Sequence, residues 1–182
     1  QHYQGQGDFL GCSFAATPEV LRFWRKQGWQ AVRLGLSKDV ATGCHAAVLL
    51  LALRPELEAQ LTQWQQQFQR QLPVWLAHGL SELSTEIIVP LLQSATVEPL
   101  TAQEQQDLLA FTDHHRSPDH CWPSVLRAMQ VQSAELALLP KLSAALLIQR
   151  FWQGKEWAWL AQQHQLSGQK AVVQQLRLAI KQ

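Results

Sequence analysis

At 182 residues the chain holds one ordinary domain, or a small domain joined to part of another, and 47% hydrophobic residues exclude a disordered polymer. The net charge of +1 hides an asymmetry: residues 1–53 carry five basic and three acidic side chains, 54–120 three and nine, and 121–182 seven and two, so the last third is a candidate polyanion face. Three cysteines without CxxC spacing exclude a disulfide framework and fit a reducing, cytoplasmic setting, while neither a secretory signal nor an apolar run near the ~20 residues of a membrane span is present.

Gln1–Gly7 reads as a linker. Its Gly5-x-Gly7 has the look of a phosphate loop, but such a loop must feed a helix whose amides hold the phosphate, and a strand follows here. Asp8–Phe14 is a short apolar run, the pattern of a buried strand. Thr17-Pro18-Glu19 then starts a helix: Thr17 caps it, Pro18 suits the first position, and Glu19 faces the positive end. Val20, Leu21, Phe23 and Trp24 form its expected buried stripe, with Arg22, Arg25 and Lys26 opposite and Gly28 as a left-handed cap. Gln30–Leu36 and His45–Leu53 are two further strands.

The pattern changes at Arg54-Pro55, where we place the boundary between an α/β unit, residues 1–53, and an all-helical unit, residues 54–182. Leu57, Leu61, Trp64 and Phe68 recur at helical spacing to about Leu72, where Pro73 is expected to interrupt. Glu82–Gln93 is a second apolar segment, bent or ended near Pro90. Thr101–Thr112 opens with TAQE, a capping-box spacing. Asp113–Pro123 reads as a polar loop. Helices follow over Val125–Ser133, Glu135–Gln153 (broken at Pro140), Trp157–Gln165 and Gln169–Lys181.

Several residues could carry chemistry. Cys12 and Cys44 read as small hydrophobes beside strands rather than nucleophiles. His45 opens a strand without an evident carboxylate partner, so the general base stays unassigned. Asp113-His114-His115 and Asp119-His120-Cys121 have metal-ligand types but no common zinc spacing, and the reading is a polar loop without metal. Residues 156–180 have the order helix, turn, helix. Lys170, Arg177 and Lys181 recur at seven and four, which gathers phosphate-seeking charge on one side of the second helix. Trp24, Trp64, Trp152 and Trp159 are expected in the core, while Trp29, Trp75, Trp122 and Trp157 are undetermined.

The series FLGCSF, TPEVLRFW, GW, VRLG and TGC resembles the bacterial tRNA(Met) cytidine acetyltransferases. The resemblance runs directly over residues 1 to about 53, and the rest looks like that family's helical tail. It implies an α/β plus all-α fold: the C-terminal half of a GNAT acetyltransferase domain (strand, helix, strand, strand) and a tRNA-binding tail domain. It implies transfer of acetyl from acetyl-CoA to the exocyclic amine of the wobble cytidine of elongator tRNA(Met). ATP or GTP would be hydrolysed by a separate upstream module, since no GxxxxGK[ST] occurs here.

Glu19 and Lys26 match the family's two late acetyl-CoA contacts. Lys26 stands where Arg is usual, keeping the charge but losing the bidentate fork. Ser13 and Phe14 end a strand where such folds splay to admit the pantetheine arm. His2 replaces the Gln or Arg of the pyrophosphate motif. The piece alone is expected to be inactive, lacking the first half of the domain and its phosphate cradle. Folded RNA rather than duplex DNA is the expected partner, through Lys170, Arg177 and Lys181, with no membrane. The rival readings are a non-catalytic helix-turn-helix nucleic-acid-binding module and an acetyltransferase acting on a protein amine.

Overall fold

In the computed structural model, which describes residues 7–93 and 97–181, three strands form one antiparallel sheet: β1 (Phe9–Ala15), β2 (Gln30–Lys38) and β3 (His45–Ala52). The order is β1-β3-β2, so the last strand fills the gap between the first two. β1 runs in regular register from Phe9 opposite Ala52 to Ala15 opposite Ala46, whereas β2 has register shifts between Ala31 and Arg33 and between Leu34 and Lys38. The β2–β3 turn is closed by Asp39, whose carboxylate accepts from the Thr42 amide at 2.8 Å and hydroxyl at 2.9 Å. These bonds hold the Asp39 carboxyl below its ordinary range. The reading of Gly5-x-Gly7 falls, apart from Gly7, outside the described residues.

Helix α1 (Pro18–Lys26) starts as its sequence requires: the Thr17 hydroxyl accepts from the Val20 amide at 3.4 Å, and Pro18 and Glu19 occupy the first turn. It ends at Gly28, whose φ of +84° is the left-handed conformation that glycine adopts without steric cost. Two expectations for this helix are corrected. Phe23 is 57% exposed, since Leu21 is the fully buried anchor and Trp24 is half-buried. Arg25 turns inward instead of lying on the solvent side, because carbonyls of a later helix offer it partners.

The helices that follow are α2 (Glu58–Ala77), α3 (Thr85–Leu91), α4 (Ala102–Thr112), α5 (Pro118–Val131), α6 (Lys141–Leu147), α7 (Trp157–Gln163) and α8 (Gln169–Lys181). A π-helical turn over Ile148–Trp152 extends α6. Pro73 does not end α2. It lies one turn from the end, where one amide bond is lost, and the buried Leu72 and Leu76 hold that turn against the core. The expected loop 113–123 is shorter, because Ser117-Pro118-Asp119 starts α5 in the manner of Thr17-Pro18-Glu19. The TAQE capping box is complete: Thr101 accepts from the Glu104 amide and Glu104 from the Thr101 amide.

The α/β part and the helices share one core. α2 packs on β2 and β3, and α1 packs on α3. A single set of buried side chains runs from Ala16, Leu21 and Leu49 through Phe68, Ile88 and Phe111 to Leu176 and Ala179. Trp152 is in that core, but Trp64 and Trp159 stay over a third exposed, Trp64 beside the Phe9 ring and Trp159 beneath the Lys155 ammonium. No described helix is long and apolar enough to cross a membrane.

Candidate functional site

The outer face of α1 is the first candidate. Residues 19, 23 and 26 follow helical spacing and share it. The Glu19 side chain is 77% exposed and meets Arg22 at 3.4 Å, a solvated pair of little energetic weight. Lys26 is exposed near the last carbonyls of the helix. Arg25, by contrast, donates through Nη1 to the carbonyls of Pro90 at 3.3 Å and Leu92 at 3.2 Å, satisfying the end of α3. This burial lowers its pKa. Arg25 therefore fixes α1 to the helical part, leaving the opposite face free.

Beside it, Cys12 Sγ donates to the Leu49 carbonyl at 3.8 Å, and burial pushes its thiol up, which disfavours a thiolate. Cys44 Sγ donates to the Thr42 carbonyl at 3.5 Å. The buried His45 ring donates from Nδ1 to the Gly35 carbonyl at 2.8 Å, a tie between β3 and β2. Ser13 is exposed and Phe14 half-buried at the end of β1.

The second candidate is the basic last third. Five of its seven cations meet acids of the preceding segment: Arg127 and Glu104 at 3.3 Å, Lys141 and Glu86 at 3.9 Å, Arg150 and Asp119 at 3.7 Å, Lys181 and Asp113 at 3.2 Å, and Lys155 with Glu82. Acidic and basic stretches of sequence thus fold onto each other. Arg177 donates to the Phe111 carbonyl at 2.9 Å, to His114 Nδ1 at 2.8 Å and to the Arg116 carbonyl at 3.4 Å. It ties α8 to the α4–α5 loop. Lys170 is exposed and has no ion pair among the described residues. The stripe Val172, Val173, Leu176 and Ala179 of α8 is buried, in contact with α4, α6 and α7, so the helix-turn-helix segment is built into the core on one side.

The histidine-rich loop is used structurally. His114 takes a φ of 68° and accepts from Arg177. His120 Nδ1 lies 2.8 Å from the Ser117 hydroxyl. Cys121 is buried, donates to the Asp107 carbonyl at 3.4 Å, and has its thiol pushed up by burial. Among the described residues no three metal-ligating side chains converge.

One arrangement was not legible in the sequence. Arg150, on the π-helical turn, is sandwiched between the rings of Trp122 at 4.4 Å and Trp157 at 4.0 Å, and donates to the Lys155 carbonyl at 2.9 Å. It locks α5, the π-helical turn and α7 together. The only signal in the sequence was that Trp122 and Trp157 are two of the four tryptophans without an assigned place.

The profile of the GNAT acetyltransferase 2 family matches residues 2–54. A protein of Nitrosococcus halophilus named tRNA(Met) cytidine acetyltransferase TmcA is 31% identical over 97% of this chain and 25% of its own length. One of the same name from Vibrio cholerae is 32% identical over 97% of this chain and 24% of its own. The human protein named RNA cytidine acetyltransferase is 27% identical over 56% of this chain and 11% of its own. The chain therefore spans about a quarter of the length of the bacterial relatives it matches.

Proposed function

We propose that the chain is the C-terminal part of a tRNA(Met) cytidine acetyltransferase, from the match of residues 2–54 to the GNAT acetyltransferase 2 family and from the similarity of the whole chain to part of the bacterial relatives of that name. The enzyme moves an acetyl group from acetyl-CoA to the exocyclic amine of the wobble cytidine of elongator tRNA(Met). The amine nitrogen attacks the thioester carbonyl and loses a proton, and CoA leaves as the thiol. The observation that carries the reading is the β1–α1–β2–β3 unit itself, within the family match, with Glu19 and Lys26 open on one face of α1.

Within this reading Glu19 and Lys26 flank acetyl-CoA. Lys170 contributes charge toward tRNA, and Arg177 and Lys181, further along the same helix and tied to the α4–α5 loop, complete the basic side that faces it. ATP or GTP is hydrolysed by a module outside this chain, and the enzyme works in the cytoplasm. The 182-residue polypeptide alone does not turn over in this reading, since it spans about a quarter of the length of the bacterial relatives.

The test is to incubate the intact enzyme with acetyl-CoA, nucleotide and tRNA(Met), and to digest the RNA for nucleoside mass spectrometry. Acetylcytidine at the wobble position is the expected product. Acetyl-lysine in protein without acetylcytidine would assign the enzyme to protein amines instead, and robust turnover by the 182-residue polypeptide would refute its proposed inactivity.

A further inference from the structure

Phe23 is the anomaly of the α1 face. It stands between Glu19 and Lys26 on the same side of the helix, with 57% of its surface in water. Its ring has one aromatic neighbour among the described residues. Trp24 meets it edge-on at 5.4 Å and 78°, and Trp24 is itself braced by Phe14 at 6.3 Å and by Trp29 at 4.7 Å. The face of α1 therefore presents an exposed aromatic ring beside a cation, about 4.5 Å apart along the helix axis at three residues of rise. A flat heterocyclic base stacks on such a ring, and a phosphate attached to it reaches the ammonium. A flexible amide chain gains less from a flat ring, since it has no extended π-face to lay on it.

We propose that Phe23 is a binding residue for the adenosine end of acetyl-CoA, with the adenine on the Phe23 ring and phosphate directed to Lys26. This rests on the reading that acetyl-CoA lies along α1. Arg25 supports it: anchored on the Pro90 and Leu92 carbonyls, it sets which face of the helix stays open. The arrangement assigns Lys26 a positional role that a single charge suffices to fill, because the orientation of the ligand comes from the ring rather than from a bidentate fork.

The experiment measures binding of CoA, adenosine 3′,5′-bisphosphate and 4′-phosphopantetheine to the intact enzyme that carries this chain, by calorimetry or competition. Phe23→Ala should weaken CoA and the adenosine bisphosphate alike, by about tenfold, the loss typical of one base–aromatic stack. Phosphopantetheine binding should not change. Phe23→Tyr should restore affinity, whereas Phe23→Leu, apolar but not flat, should bind as poorly as the alanine variant. Undiminished binding of the adenosine bisphosphate, or full rescue by leucine, overturns the proposal while the acetyl-CoA reading stands. A loss confined to tRNA affinity reassigns the ring to an RNA base and overturns it too. Failure of the unsubstituted enzyme to bind CoA at all sinks both readings.

Discussion

Around α1 the cations Arg22 and Lys26 are exposed and only Arg25 turns inward, whereas in residues 121–182 five of seven cations meet acids of the preceding stretch and Arg177 is tied to carbonyls. Arg22 pairs with Glu19, so each region keeps one exposed cation without an ion pair among the described residues, Lys26 beside α1 and Lys170 in the tail, and the larger surplus in sequence leaves no more unpaired charge than the smaller one. Charge counted along a chain predicts a field only where the fold does not bring the counter-charges back. The exposed pairs add little stability one by one, about 0–1 kcal/mol each. Their effect is to reduce the electrostatic reach of the tail to positions such as Lys170.

This contrast can be broken at three places. The largest effect belongs to Arg150→Ala, which removes a flat cation from between two indoles and the packing of its stem. We expect a loss of about 3 kcal/mol in urea unfolding. A loss under about 1 kcal/mol would show that Trp122 and Trp157 close on each other without it. Arg150→Lys should recover little, as an ammonium cannot stack on both faces. Next comes Arg25→Ala, which strips two charge-assisted hydrogen bonds from the end of α3. About 1.5 kcal/mol should disappear, with partial recovery by Arg25→Gln, and unchanged stability would mean that water replaces the guanidinium at no cost. The smallest effect on folding is Lys170→Glu, within about 0.5 kcal/mol by thermal unfolding. Yet in a salt titration of tRNA binding the slope should fall by about 1. An identical slope would show the remaining surplus of the tail to be wholly internal. Arg177→Glu is no substitute for this measurement, because it also cuts the ties to Phe111 and His114.

Local signals were legible where the sequence itself contains both partners. Thr17-Pro18, Gly28 and the Thr101–Glu104 box each satisfy amides or carbonyls within a few residues, and all formed as read. Prolines misled when tertiary packing outweighed one lost hydrogen bond, as at Pro73, and when a proline marked a start rather than a loop, as at Pro118. Phe23 was placed in the core by periodicity alone, which reports hydrophobicity but not how wide the packed stripe is. The partners of Arg25 lie 65 and 67 residues away, and no window along the chain could pair them. The α1 face itself was legible only as a resemblance. Its geometry needed the aromatic bracing, which joins β1, α1 and the start of β2.

The strand order has a consequence for how the chain acquires its structure. β2 and β3 are neighbours in sequence, closing from Lys38 opposite His45, while β1 must meet β3 across the intervening helix, from Ala15 opposite Ala46 to Phe9 opposite Ala52. Closing the longer loop costs more entropy, and contacts between sequence-distant residues form later. The hairpin is then the early template, and β1 with α1 docks onto a strand already paired on its other side. Truncating Phe14 should accelerate unfolding with little change in the refolding rate, whereas Ala47→Gly in β3 should slow refolding, a difference readable from the two arms of a chevron plot. The open face of α1 would in that order be among the last surfaces to take shape.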